Sequence, residues 1–203
     1  MPETRTIQVY KVSELRNDAK DSAYYRWLEN EPYGWESDNR KTLDEFVKVF
    51  PVKVTHWEYS DSSYSIRSEL TTDDVPATMS RWRLATYIWN NYGPTLFPGK
   101  YYSKGRYVGG KYQYKSRRSK IILQPQNCCL TGFCRDEDIL DPVYDFLKRP
   151  DSTTFEQLMR DCCKAWAKAC SDDMEASTTM EVFEEYCEDN DMRFEANGVI
   201  FRG

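Results

Sequence analysis

Val52-Lys-Val-Thr-His-Trp-Glu-Tyr59 and Tyr64-Ser-Ile-Arg-Ser-Glu-Leu70, joined by Ser60-Asp61-Ser62-Ser63, decide the fold class of this chain. Residues alternate with period two on both sides of a polar four-residue connection, which predicts an antiparallel hairpin. The flanking segments change period. Upstream, Thr42 is placed to cap a helix carrying Leu43, Phe46, Val47 and Phe50 and ended by Pro51. Downstream, Trp82, Ala85, Ile88, Trp89 and Tyr92 share one helical face that Gly93-Pro94 stops. A hairpin set between helices places the chain in the α+β class.

The same reading extends to both ends. Thr6 to Lys11 is expected as a short strand, followed by Ser13 as the cap of a helix bearing Leu15, Ala19, Ala23, Trp27 and Leu28. Ile121 to Gln124 reads as a strand re-entering the core. Asp141-Pro142 marks a helix start, Thr153 with Glu156 forms a capping box, and Phe155, Leu158, Met159, Cys162, Trp166, Ala169 and Cys170 make one apolar stripe behind it. Thr178 with Glu181 opens a last helix, and Met192 to Phe201 around Asn197-Gly198 carries a strong hairpin signal. The expected architecture is one compact α+β domain over residues 1–203, an antiparallel sheet with hairpins packed against about five or six helices.

Composition limits the function classes. Hydrophobic residues make up 40% of the 203, enough for a sizeable core, yet the longest apolar runs, such as Ile121-Ile122-Leu123, fall far short of a membrane span. The N-terminal Met-Pro-Glu-Thr-Arg-Thr resembles no secretory signal, so a cytoplasmic protein with no membrane partner is expected. The seven cysteines are odd in number and include two adjacent pairs, Cys128-Cys129 and Cys162-Cys163. They read as reduced thiols filling core space. A zinc site would need Cys128, Cys129 and Cys134 to meet Cys162 or Cys163, without any C-x2-C spacing and with the only histidine, His56, remote. No metal and no cofactor are expected.

Charge is segregated. Residues 99–120 hold eight cations, Lys100, Lys104, Arg106, Lys111, Lys115, Arg117, Arg118 and Lys120, with no Asp or Glu, in a chain of net charge −5. Tyr101, Tyr102, Tyr107, Tyr112 and Tyr114 are interleaved among them. Cations and flat rings together suit a phosphate backbone with exposed bases, and tyrosine equally suits a protein interface. The four glycines of this stretch predict a long twisted hairpin or an ordered loop. Opposing it, the helical C-terminal part over 136–191 is acidic. Asp172, Asp173, Glu175, Glu181, Glu184, Glu185, Glu188, Asp189 and Asp191 follow one another with no base among them. Such a run reads as a solvated face, or as a carboxylate surface mimicking a phosphate backbone. The ribbon itself has an internal reading too, as a cover that neutralises those acids.

Catalytic signals are sparse. Gly105-Arg-Tyr-Val-Gly-Gly110-Lys111 matches the spacing of a phosphate-binding loop, but Tyr112 stands where Ser or Thr should bind magnesium. His56 in Lys53-Val-Thr-His-Trp-Glu-Tyr would serve as a general base only if the fold brought a Cys or Glu to it. A binding protein is expected rather than an enzyme.

Three stretches carry a resemblance: Tyr10-Lys-Val-Ser-Glu-Leu with Asp18-Ala-Lys; Cys129-Leu-Thr-Gly-Phe-Cys-Arg-Asp-Glu-Asp-Ile-Leu-Asp-Pro-Val-Tyr-Asp-Phe-Leu; and Thr153-Thr-Phe-Glu-Gln-Leu with Asp161-Cys-Cys. They resemble a diffuse set of phage and mobile-element proteins, some labelled antitoxins. The resemblance implies a setting and no functional residue: small acidic proteins that bind and disable host machinery, anti-CRISPR proteins being one such group. The expected function is inhibition of a host nucleic-acid-processing defence complex, with a Cas nuclease and its guide RNA as an example of the partner. Direct RNA or DNA contact would run through residues 99–120. The alternatives are an antitoxin that binds nucleic acid through the ribbon and, more remotely, an enzyme using His56 or a Cys.

Overall fold

The computed structural model describes residues 7–30, 33–71, 76–97, 101–109, 111–118, 129–133 and 135–202, with side chains in the second hairpin described at Tyr107 and Lys111 alone. A 3-10 turn at Val12–Glu14 precedes α1 (Asn17–Asn30), α2 (Glu36–Val49), β1 (Val52–Tyr59), β2 (Tyr64–Leu70), α3 (Arg81–Asn91), α4 (Gly93–Leu96), β3 (Tyr101–Val108), β4 (Lys111–Arg118), α5 (Arg135–Lys148), α6 (Phe155–Ser177) and α7 (Met180–Asp189). The class is α+β. The strands form two separate two-stranded antiparallel sheets, β1–β2 and β3–β4. Contacts gather the chain into two compact units, residues 35–171 and residues 1–34 with 172–203.

In the unit spanning 35–171, the apolar stripe of α6 forms the centre of the core. Phe155, Leu158, Met159, Cys162, Trp166 and Cys170 are all buried, with Leu43, Phe46, Phe50, Leu84, Ile88, Ile139, Leu140 and Val143 around them. Trp166 is fully enclosed and its indole N–H donates to the carbonyl of Asn39 at 2.9 Å. Trp57 and Tyr59 of β1 meet its ring edge-on at 5.6 and 5.9 Å, which turns one face of the first hairpin inward. The register pairs Trp57 with Ile66 and Tyr59 with Tyr64, and shifts between Val54 and His56. Ser171 closes the arrangement by donating its hydroxyl to the carbonyl of Ser60 in the connecting turn, at 2.6 Å.

Several helix starts differ from the sequence reading. α2 begins at Glu36, and Thr42 lies buried within it. Glu36 and Asp38 favour the positive helix end, a contribution invisible to apolar spacing. α5 begins at Arg135, so Asp141-Pro142 falls inside it. The reason is Asp136, whose buried carboxylate holds the entering loop. Its Oδ2 accepts the backbone N–H of Leu130, Thr131 and Gly132 at 2.8, 2.6 and 3.0 Å. α3 ends at Asn91, just before Gly93-Pro94 as expected, and those two residues also open the short α4, with proline in the first turn where its missing N–H costs little. Thr154 and Thr179 cap α6 and α7 through the N–H of Gln157 and Val182, at 3.2 and 3.3 Å, one residue beyond the expected Thr153 and Thr178.

The other unit packs α1 on α7. Val12, Leu15, Ala19, Ala23, Phe183, Cys187 and Phe194 are its buried core. Trp27 sits between Phe183 and Tyr186 at 5.4 and 5.8 Å, and Tyr24 donates its hydroxyl to the Thr178 carbonyl at 2.5 Å. The helix expected from Ser13 starts at Asn17, with Ser13 in the 3-10 turn. The terminal strands are reduced to bridges. Among the described residues of the expected strand over 6–11, Tyr10 alone pairs, with Phe194, and the expected hairpin over 192–201 is a single bridge of Phe194 to Ile200. Phe194 is fully buried, so burial of one ring rather than a ladder holds these segments. The strand expected at Ile121 to Gln124 lies outside the described residues.

Candidate nucleic-acid interface

β3 and β4 pair over their whole length, and Gly109, which follows β3, has φ +57°, a left-handed value that glycine adopts without strain. The register sets Tyr101 against Arg118, Tyr102 against Arg117, Lys104 against Lys115, Gly105 against Tyr114, Arg106 against Gln113, Tyr107 against Tyr112 and Val108 against Lys111. The register thus sets two lysines opposite each other in a ladder whose own residues include no Asp or Glu. Tyr107 exposes 71% of its surface. The phosphate-loop-like spacing from Gly105 to Lys111 therefore runs along β3, round the turn and into β4. Lys100 and Lys120 lie outside the described residues.

The acidic run is spread over the end of α6, all of α7 and the residues after it. Several of its members have internal partners. Tyr33 donates its hydroxyl to Asp173, Lys20 pairs with Glu184 at 2.5 Å, and Arg193 pairs with Asp191 at 2.7 Å. Glu175, Glu181, Glu185, Glu188 and Asp189 are exposed and make no ion pair among the described residues, while Asp172 is exposed near the end of α6.

His56 lies exposed on β1, with Nε2 3.7 Å from Glu58 Oε1 and Arg67 directly across the ladder. Cys162, Cys163, Cys170 and Cys187 are buried free thiols, and Cys129 is half-buried against the Tyr144 hydroxyl at 3.7 Å. Burial pushes the Cys163 and Cys187 thiols up to about 11, which makes them neutral and poor nucleophiles at pH 7. Among the described residues no group of three His, Cys, Asp or Glu side chains could hold a metal ion. Cys128 and Cys134 lie outside them.

One correction changes the picture of the surface. Trp82, read from the sequence as part of the buried face of α3, is 71% exposed, because that face is formed by Leu84, Ala85 and Ile88. Trp82 makes no ring contact among the described residues. Its neighbours Arg81 and Arg83 are exposed too, with no ion pair among the described residues. The string Ser80-Arg-Trp-Arg83 carried the signal, an aromatic ring between two cations, but helical spacing alone assigned the ring to the core. No family model, curated protein or solved structure matches the chain. No helix among the described residues is long and apolar enough to cross a membrane.

Proposed function

We propose that this protein acts by binding, without covalent chemistry of its own, and that the β3–β4 hairpin is the surface that engages nucleic acid or a host complex carrying it. One observation carries the reading: a ladder of six cations and five tyrosines, free of carboxylates, in which Lys104 and Lys115 oppose each other. Self-repulsion of this kind is relieved when a polyanion binds, through counterion release, while the rings offer stacking surfaces. The exposed Arg81, Trp82 and Arg83 add a second patch of the same chemistry. In the setting the resemblance implies, that contact would block a defence complex in the host cytoplasm, as anti-CRISPR proteins do.

The test is fluorescence anisotropy with labelled single-stranded RNA and DNA across a salt series. Replacing Lys111, Lys115, Arg117 and Arg118 together with Ala is expected to weaken binding strongly and to reduce the salt slope by about one unit per lost phosphate contact. Unchanged affinity and slope would remove the hairpin from the interface. An antitoxin-like regulator would instead show preference for one duplex sequence, in this case its own operator.

A further inference from the structure

The β3–β4 register divides the two chemistries of the hairpin between its faces. Directly opposed residues of an antiparallel ladder share a face, and successive residues along a strand alternate between faces. One face therefore takes Lys104, Arg106, Lys111, Lys115 and Arg117, with Tyr102 among them. The other takes Tyr101, Tyr107, Tyr112 and Tyr114, with Arg118 as its one cation. In the sequence the cations and tyrosines are interleaved, and only the strand pairing sorts them. Each face has one described side chain, and both are open to solvent: Lys111 is exposed on the first, and Tyr107 exposes 71% of its surface on the second.

We infer that the cationic face alone holds nucleic acid, through the phosphate backbone and without stacking on bases. This rests on the reading of the hairpin as the binding surface, and it assigns which face binds and which part of the strand it takes. A strand laid with its phosphates against one face of a sheet turns its bases away from that sheet, so residues of the opposite face are out of their reach. Same-face positions recur about every 6.7 Å along each β-strand, close to twice the roughly 3.4 Å spacing of charges along one nucleic-acid strand. Lys104 facing Lys115, in a ladder without Asp or Glu, suits a polyanion on that same side. Phosphate contacts carry no sequence information, so the face binds without regard to base identity.

The experiment uses the full chain carrying Trp82→Ala, which removes any stacking at the start of α3. It is titrated by anisotropy, across a salt series, with two labelled single strands of equal length, one of mixed sequence and one abasic. The two strands are expected to bind within about twofold of each other, less than the loss of one stacked base would give. Lys104→Ala/Arg106→Ala/Lys115→Ala/Arg117→Ala should reduce the salt slope by about 0.7 unit for each cation that meets a phosphate. Tyr107→Ser/Tyr112→Ser/Tyr114→Ser and, separately, Arg118→Ala should leave affinity and slope as they were. An abasic strand bound about fivefold or more weakly, or a comparable loss in the tyrosine triple variant, would overturn the face assignment while leaving the hairpin as the binding surface. The abasic comparison needs no substitution in the hairpin, so it reads even where a variant unfolds the ladder. A chain that binds neither strand, or a cation-face variant with unchanged affinity and slope, would refute the broader reading and this assignment together.

Discussion

Lys104 and Lys115 are direct cross-strand partners in the β3–β4 ladder. A hairpin selected for stability alone would place a carboxylate opposite a lysine, since opposite charges at facing positions contribute roughly 0.2–1 kcal/mol and like charges detract by a similar amount. The pair therefore separates two roles. Lys115→Glu is expected to slow amide exchange in the hairpin while weakening oligonucleotide binding. Faster exchange, or binding that survives unchanged, would contradict the polyanion reading.

Trp82 gives a test independent of charge. With 71% of its surface exposed, it contributes little to the core, so Trp82→Ala should leave the unfolding midpoint almost unchanged. If a base stacks on the ring, affinity for a single strand falls by about 1–3 kcal/mol, and the loss persists at high salt where ionic contributions fade. A clear drop in stability with no change in affinity would show that the ring serves folding instead.

Asp136 is fully buried and accepts three backbone N–H groups together with the Thr131 hydroxyl at 2.6 Å. Asp136→Ala would strand those donors, at a cost of about 3 kcal/mol or more in urea unfolding. Asp136→Asn should cost clearly less, because the amide oxygen can face the backbone N–H groups while its NH₂ donates to the hydroxyls of Thr131 and Thr42. Equal losses for the two variants would mean that charge, not acceptor count, secures the loop.

Asp141 supplies a pH test. Burial first, then the carboxylates of Asp145, Glu137 and Asp138, hold its carboxyl above the ordinary 3.8. The folded state thus favours the neutral form, and its stabilising contribution is full below the ordinary value and disappears as pH rises through the raised one. Asp141→Asn should therefore raise the unfolding midpoint at pH 7, by the equivalent of about 0.2–0.5 kcal/mol because solvent still reaches this partly covered position, and do nothing under strongly acidic conditions. Destabilisation at pH 7 would reverse the assignment.

Elements whose signal is local were legible from the chain itself. The hairpin of β1 and β2 matches the period-two segments at Val52–Tyr59 and Tyr64–Leu70, and the basic stretch forms the long hairpin that its glycines suggested. The α6 stripe is equally direct: Phe155, Leu158, Cys162 and Trp166 recur at helical spacing and are buried. Helix starts were less legible, because the cap that matters at α5 is a carboxylate reaching back to Leu130, Thr131 and Gly132 from inside the helix.

Sequence by itself determined the class of the fold, the two hairpins, the main apolar stripe and the separation of charge, all of which follow from residue type and spacing within a few positions. Tertiary structure decided which aromatic faces solvent, as with Trp82, and which charges far apart in the chain pair, as with Lys20 and Glu184. It also decided what Gly198 is for. Asn197-Gly198 announces a turn, and Gly198 does take φ +79°, but a Cβ there would stand 2.0 Å from the carbonyl oxygen of Ala19 in α1. Backbone periodicity is a property of neighbouring residues, whereas burial, charge convergence and close approach depend on segments far apart in the chain, and those become neighbours only once the core has formed.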